Sequence, residues 1–483
     1  MEIETTISLL DVGHFIPELT MICVGLILLL LDLVVKKKEI VALVGIAGTL
    51  VALYGTYKLY GFYEPHTAFA GMFVLDGYSN FFKLIFYLNV ILTICISVKY
   101  MEIERASFGE FYALLMFATT GMMIMASAAD LIILYLGLEL MALSTYILAG
   151  LIRKDPRSNE AALKYFFLGA FSSAFLLYGI SLTYGLTGTT NLKEIADSLR
   201  ALNIIGSPIM YLGLIFIIVA FGFKIALVPF HMWAPDVYEG APTSVTAFMS
   251  VGPKAAGFAV LGRVLFDAFA GMQVQWASIL IPIAILTMAV GSIIALAQTN
   301  IKRMLAYSSI AHAGYMLLGV IAGTPAGLTS TVNYLMIYLF MNIGAFAIVI
   351  MLRSEGFQGE NLDDYMGLSK SHPLASALML IFMFSLAGIP PTAGFVGKFY
   401  VFMEAINAGY VYMAIIAVVF SAISAFFYLR IVIYMYMKDP VEEVTLTNSP
   451  SMSVALAVTT MMVLVFGIFP SILLNLVRYS ILS

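Results

Sequence analysis

The sequence predicts an all-α, polytopic membrane protein of about fourteen transmembrane helices, and three observations predict it. Of 483 residues, 62% are hydrophobic and 11% charged, against roughly 25% charged in an ordinary soluble domain. Mean hydropathy is +1.00. Apolar runs of about twenty residues, the length that crosses a bilayer, recur almost without interruption between short polar connections. One membrane domain over 1–483 therefore fits better than the roughly three soluble domains that length alone would allow.

In windows of about nineteen residues, the spans fall in order near 16–35, 40–60, 78–99, 108–127, 131–151, 160–187, 207–230, 240–267, 276–298, 302–322, 327–352, 371–404, 410–437 and 452–478. The acidic start MEIETTISLLDVGHF lacks the positive segment of a cleaved signal peptide, so the first run is expected to remain as a span. KKKE follows the first span, RKDPRSN the fifth and RSEGFQGENLDDY the eleventh. Loops after odd-numbered spans hold about thirteen Lys or Arg, among them Lys36, Lys37, Lys38, Arg153, Lys154, Arg157, Lys302 and Arg303, and the opposite side about four. The positive-inside rule then places both termini on the non-cytoplasmic side.

Several function classes are excluded. Net charge is −4 with no basic block, so nucleic acid is not an expected partner. Cys23 and Cys95 lie apart inside apolar runs, which argues against thiolate-held metal, an iron–sulfur site or a disulfide framework. GFVGKF has Thr392 where a phosphate loop needs its first Gly and Phe399 where it needs Ser or Thr. No dinucleotide fingerprint, haem-attachment motif or metal-binding His pair is present. The chain has no means of its own to handle electrons.

What remains is a set of charges inside apolar runs. A charge at the centre of a lone helix costs about 2.5–3.5 kcal/mol on insertion scales, so each needs a partner, a wet cavity or a function. Glu139, Lys224, Lys254 and Lys398 have many apolar residues on both sides. Lys164, Arg263, Glu404 and Arg430 lie nearer span ends, where long side chains snorkel to the interface. His312 lies among Ala, Gly and Ser, where it is read equally as a satisfied core histidine or a proton carrier, and His231 follows Pro229 in VPFHMW.

Helix breaks accompany two of the lysines. Pro229 follows Lys224, and Pro390 and Pro391 precede Lys398. Proline removes a backbone donor, and irregular backbone at membrane depth persists only where protein or water surrounds it. Broken helices beside buried charges are a transporter pattern. Burial disfavours the charged form of Lys and Glu, so either can take up and release a proton, whereas Arg cannot.

The stretches FGFKIALVPFHMWAPDVYEGAPTSVTAFMSVGPKAAGFAVLGR, NIKRMLAYSSIAHAGYMLLG, YLFMNIGAF and SLAGIPPTAGFVGKFYVF resemble the antiporter-like membrane subunits of respiratory complex I over about residues 75–440. The SVGPKAA wording around Lys254 and the Lys at 398 resemble the N class; the M class carries Glu there, and the L class a long lateral helix for which this chain ends too soon. The resemblance implies two inverted five-helix repeats, spans 4–8 within 101–270 and spans 9–13 within 271–440, with helices 7 and 12 discontinuous. Three N-terminal spans (1–100) precede them and one C-terminal span (441–483) follows.

It also implies roles. Glu139 pairs with Lys224, Lys254 relays in the middle, and Lys398 exchanges protons on the far half channel, with Lys164, His312 and His231 as candidate intermediates. The function implied is proton translocation driven by redox chemistry elsewhere. FMN, iron–sulfur clusters, NADH and a quinone would sit in other subunits, none bound by this chain and with no metal site here. The partners implied are other membrane subunits, a peripheral redox arm and the lipid bilayer of an energy-transducing membrane, most simply a prokaryotic inner membrane. Two alternatives share these helices: a subunit of a multi-subunit cation/proton antiporter, and one of a membrane-bound hydrogenase.

Overall fold

A computed structural model of the chain describes residues 9–59, 65–354, 357–440 and 445–481. Its apolar runs become helices because a backbone without water must satisfy its hydrogen bonds internally. The short α1 (Leu9–His14) precedes α2 (Ile16–Val34) and α3 (Lys38–Leu59). A small antiparallel hairpin, β1 (His66–Ala68) with β2 (Phe73–Leu75), leads to α4 (Gly77–Ile103). Then come α5 (Gly109–Ser127), α6 (Leu131–Ala149), α7 (Pro156–Thr187) and the short α8 (Leu192–Ala201). The chain continues through α9 (Pro208–Lys224), α10 (Trp233–Gly240), α11 (Thr243–Arg263), α12 (Gln273–Ala295), α13 (Ile301–Ile321) and α14 (Pro325–Met351). It closes with α15 (Leu368–Ser371), α16 (Pro373–Ala387), α17 (Ala393–Asn407), α18 (Val411–Met437), α19 (Pro450–Ile468) and α20 (Pro470–Ile481).

Sequence punctuation sets these boundaries. Proline stands in the first turn of α2, α7, α9, α14, α16 and α19, where its missing N–H costs nothing. Asp76, Asp130, Asp155, Asn300, Thr324 and Ser449 cap helices through side-chain oxygens, each satisfying an otherwise orphaned backbone donor.

Among the described residues, twelve helices are long and apolar enough to cross a membrane, against the fourteen spans expected. The difference lies at two places where the expected span is interrupted, leaving the shorter apolar helices Pro208–Lys224 and Pro373–Ala387. The last expected span also stops early, at Ile468, because Pro470 starts a separate helix. The hairpin and α8, both in connections, were not anticipated.

Burial orders the helices. α11, α13 and α14 are buried along their length, whereas α2, α3, α7, α12, α18 and α19 bury only a minority of their residues, as lipid-facing helices do. The interrupted pairs α9/α10 and α16/α17 pack against this buried centre, α10 and α17 against α13 and both α16 and α17 against α14.

Two of the span-end charges do not snorkel. Arg263 is 7% exposed; its Nη2 donates to both carboxylate oxygens of Asp76 at 2.7 and 2.9 Å while Nε donates to the Ala126 carbonyl at 2.8 Å. Arg430 donates to the carbonyls of Leu296 and Gln298 at 2.8 and 2.5 Å, filling the unsatisfied carboxyl end of α12. Glu404 remains half-buried.

Candidate functional site

Both interruptions are built the same way. At the end of α9 the Leu227 N–H reaches the Gly222 carbonyl (2.7 Å) and the Ala226 N–H the Phe223 carbonyl (3.1 Å). At the end of α16 the Ile389 N–H reaches Phe384 (2.9 Å) and the Gly388 N–H reaches Ser385 (3.0 Å). Each is a Schellman closure, which needs a left-handed residue after the helix; Gly388 (φ +85°) supplies it in one and Ala226 (φ +59°) in the other. Pro229 falls in the first gap and Pro390 and Pro391 in the second, and the Val228–Pro229 and Pro390–Pro391 peptides are cis.

Each break presents a lysine. Lys224, the last residue of α9 and 1% exposed, donates to the Tyr146 hydroxyl at 3.2 Å and lies over the Tyr146 and Phe223 rings at 5.5 and 5.7 Å. Its charge suits the negative end of the helix dipole. Lys398 reaches back from α17 to the carboxyl end of α16, donating to the Leu386 and Ala387 carbonyls at 3.1 and 2.8 Å and to Ser421 Oγ at 2.9 Å. Trp233 Nε1 donates to the Phe223 carbonyl at 2.9 Å, and Thr287 Oγ1 accepts from the Val228 N–H at 3.0 Å, tying the first break to α12.

Between the breaks lie Lys254 and His312, on buried α11 and α13. Lys254 is 3% exposed and donates to the Ser309 carbonyl at 2.9 Å and to Ser309 Oγ. Pro253, just before it, removes the hydrogen bond to the Met249 carbonyl, and the Tyr238 hydroxyl approaches that carbonyl instead at 3.4 Å. His312 lies one turn after Ser309 on the same face of α13. Its Nδ1 meets the Tyr334 hydroxyl at 2.8 Å and its Nε2 the Tyr428 hydroxyl at 3.0 Å. Tyr315 stands edge-on to the His312 ring at 5.8 Å and beneath the Lys398 ammonium at 5.2 Å. Lys254, Ser309, His312, Tyr315 and Lys398 thus form one contiguous buried row. Lys224 joins it only by proximity: Gly257, one turn from Lys254, lets α11 come close enough that a Cβ there would lie 3.8 Å from Lys224 Cβ.

The other expected residues fall elsewhere. Glu139 is half-buried and accepts from Ser173 Oγ; it is within electrostatic range of Lys224, but no ion pair joins them. Lys164 has a side chain 42% exposed and pairs with Glu160 and Asp236, both at 2.8 Å. Asp236 and Glu239 are also held by Arg303, at 2.8 and 2.9 Å. His231 is half-buried in the first gap and makes no hydrogen bond to the four central residues. No metal-holding cluster of His, Cys, Asp or Glu occurs among the described residues.

Sequence reading missed the tyrosines that bracket His312 and Lys224, since aromatic residues in apolar spans look like core. It also missed a buried ion pair: Glu18 and Lys83, both fully buried, lie 2.7 Å apart. Each sits near a helix start, where a charge reads as interfacial.

Known proteins are similar to this chain over most of its length. The family described as NADH:quinone oxidoreductase/Mrp antiporter, TM, matches residues 128–424, from the start of α6 to the middle of α18. NADH-quinone oxidoreductase subunit N 2 of Rhizobium meliloti (strain 1021) is 49% identical over 467 residues, covering 96% of each chain. NADH-quinone oxidoreductase subunit N of Trichlorobacter lovleyi is 45% identical over 478 residues, covering 98% of this chain and 97% of that one. A chain in the structure of respiratory complex I from Thermus thermophilus with bound aureothin superposes with a TM-score of 0.81 at 34% identity, covering 95% of this chain and 98% of that one.

Proposed function

We propose, from the premise that this chain belongs to the NADH:quinone oxidoreductase/Mrp antiporter family with subunit N proteins as its relatives, that it is the N-type proton-translocating membrane subunit of a complex I-type NADH–quinone oxidoreductase. The observation that carries this is the row Lys254–Ser309–His312–Tyr315–Lys398, buried, contiguous and flanked by two broken helices. Buried ionisable groups in a membrane are costly, and this row is built of groups that can hold and pass a proton. Counting each interrupted pair as a single crossing brings the spans to fourteen, which this reading divides into three N-terminal spans, two inverted five-helix repeats over 101–270 and 271–440, and one C-terminal span.

In this reading Lys224 and Glu139 take protons on one side, Lys254 and His312 pass them along the centre, and Lys398 releases them on the other. Separation of Glu139 from Lys224 leaves the pair open, so its closure is available as the switch that changes the proton affinity of Lys224. FMN, iron–sulfur clusters, NADH and quinone belong to partner subunits, and this chain contributes no redox centre. The charge bias of the loops supports both termini on the non-cytoplasmic side of a prokaryotic inner membrane.

Two measurements test the proposal. The chain extracted in mild detergent should travel in a particle of several hundred kilodaltons, about the size of a multi-subunit redox assembly, carrying flavin and iron–sulfur signals; a smaller particle without them would make it a subunit of a free-standing antiporter. Lys224→Ala should assemble yet lose most proton translocation per electron.

A further inference from the structure

Lys302 belongs by sequence to a charged connection, yet it is 2% exposed and stands outside the buried row. All three of its ammonium donors are engaged. Two go to backbone carbonyls, Glu239 at 2.8 Å and Ala241 at 2.9 Å, and one to Glu360 Oε1 at 3.1 Å. The two carbonyls lie at the carboxyl end of α10, where a helix leaves its carbonyls without N–H partners, and Pro242, next in the chain, brings no N–H. Burying a charge is costly unless it is paired and hydrogen-bonded, and Lys302 meets that condition only while three segments stay together: the end of α10, the start of α13 and the connection that carries Glu360.

Each segment leads to one of the lysines at the breaks or in the row. At the start of α10, Trp233 Nε1 holds the Phe223 carbonyl, next to Lys224, and its ring packs on Phe223 at 5.4 Å and stacks on Tyr165 of α7 at 4.4 Å. Near its end, Tyr238 is tied to α11, the helix of Lys254: its carbonyl accepts from Thr246 Oγ1 at 2.9 Å and its hydroxyl reaches the Met249 carbonyl at 3.4 Å. Ser309, the partner of Lys254, lies two turns beyond Lys302 on α13, about 10 Å at 1.5 Å per residue. On the third segment the Glu360 carbonyl accepts the Ile301 N–H at 2.7 Å, and the Leu362 N–H donates to the Thr299 carbonyl at 2.9 Å. From there the chain runs through α15 into α16 and the second break. The other cations that grip α10 are more open. Lys164 and Arg303 have side chains 42% and 30% exposed in a polar cleft of about 230 Å³ that also holds Asp236 and Glu239, and exposed ion pairs contribute only about 0–1 kcal/mol.

We propose that Lys302, with Glu360, is a positioning residue for translocation: it locks the end of α10 to the start of α13 and to the connection entering α16, and so keeps Lys224 and Lys254 in register with the row that leads to Lys398. Lys302 carries no proton in this role. It acts through the backbone of α10, which Trp233 couples to the carbonyl beside Lys224 and Tyr238 couples to the helix of Lys254.

This inference rests on the proposed function, and one experiment separates the two. In sealed vesicles containing the whole complex, the amount assembled and the protons translocated per electron are compared for wild type, Lys224→Ala, Lys302→Met, Lys302→Arg and Glu360→Ala. Lys302→Met strips the donor from three acceptors and should lose most translocation per electron in the complex that assembles; a residue serving stability alone would lower the yield and leave that ratio at wild type. Lys302→Arg keeps the charge and the donors but cannot release a proton, so it should restore most of the ratio. A loss in Lys302→Arg as deep as in Lys302→Met would overturn the positioning role in favour of proton carriage by Lys302. If Lys302→Met does not assemble, Glu360→Ala decides: a lowered ratio is expected, and a wild-type ratio overturns the proposal. Loss in Lys224→Ala with a wild-type ratio in Lys302→Met overturns the positioning role and leaves the function standing. A wild-type ratio in Lys224→Ala overturns both.

Discussion

The Lys398 ammonium lies 2.8 Å from the carbonyl of Ala387, the last residue of the half-helix before the second break. A side chain eleven residues further along the chain thereby supplies the donor that the interrupted backbone lacks and sets a positive charge at the negative end of the α16 dipole. The same lysine is the end of the buried row, so its proton and the closure of the break are linked.

That linkage predicts how substitutions at 398 differ. Lys398→Arg keeps a donor for Leu386 and Ala387 but cannot release its proton; the complex should assemble and fail to translocate. Lys398→Glu, when ionised, sets an acceptor against two carbonyls and should lose assembly as well. Blue native electrophoresis with proton-translocation assays separates the two outcomes. Full activity in Lys398→Glu would show that any protonatable group suffices there.

The left-handed residues predict opposite signs at the two breaks. Ala226→Gly relieves a side chain at φ +59° and should raise stability by about 1 kcal/mol. Gly388→Ala introduces that strain at φ +85° and also brings a Cβ to 2.9 Å from Lys398 Cδ, so it should destabilise and weaken the Ala387 contact. Thermal unfolding of the purified assembly reads both, and equal effects at the two sites would contradict the Schellman assignment.

His312→Phe leaves the Tyr334 and Tyr428 hydroxyls without the ring nitrogens they bond, although Ser308 Oγ still reaches Tyr428. The cost should be about 1–3 kcal/mol for the Tyr334 hydroxyl alone, seen as a lower unfolding temperature, together with loss of translocation. A stable variant that translocates normally would return His312 to the role of a packed core residue.

The Glu18–Lys83 pair lies outside the 128–424 family segment and joins α2 to α4. Glu18→Gln should destabilise by about 3–5 kcal/mol because it leaves Lys83 buried and uncompensated. Glu18→Gln with Lys83→Met should recover most of that loss, and additive destabilisation would mean that the two do not act as a pair.

Much of this architecture was legible in the sequence because membrane helices announce themselves by length and hydropathy, and prolines and lysines stand out against that background. The burial of Lys224, Lys254 and Lys398 was legible because apolar residues flank each of them on both sides, which leaves little room to reach an interface. Lys164 was harder: its distance from the span end is compatible with burial, and only the fold shows Asp236 and Glu160 drawing it to a solvent-open cleft. Glu18 and Lys83 hid near helix starts. Tyr146, Tyr165, Tyr334 and Tyr428 were illegible for a different reason, since a tyrosine among apolar residues carries no sign of which way its hydroxyl points until the packing of α6, α7, α14 and α18 is known.

Lys254 is the centre of the row, bonded to Ser309 from a fully buried helix, and Lys254→Met tests the account most directly. In sealed membranes, with electron transfer monitored at the same time, the account predicts an assembled complex whose protons translocated per electron fall well below wild type. An assembled Lys254→Met complex with the full wild-type ratio would contradict proton passage through this chain's buried lysines.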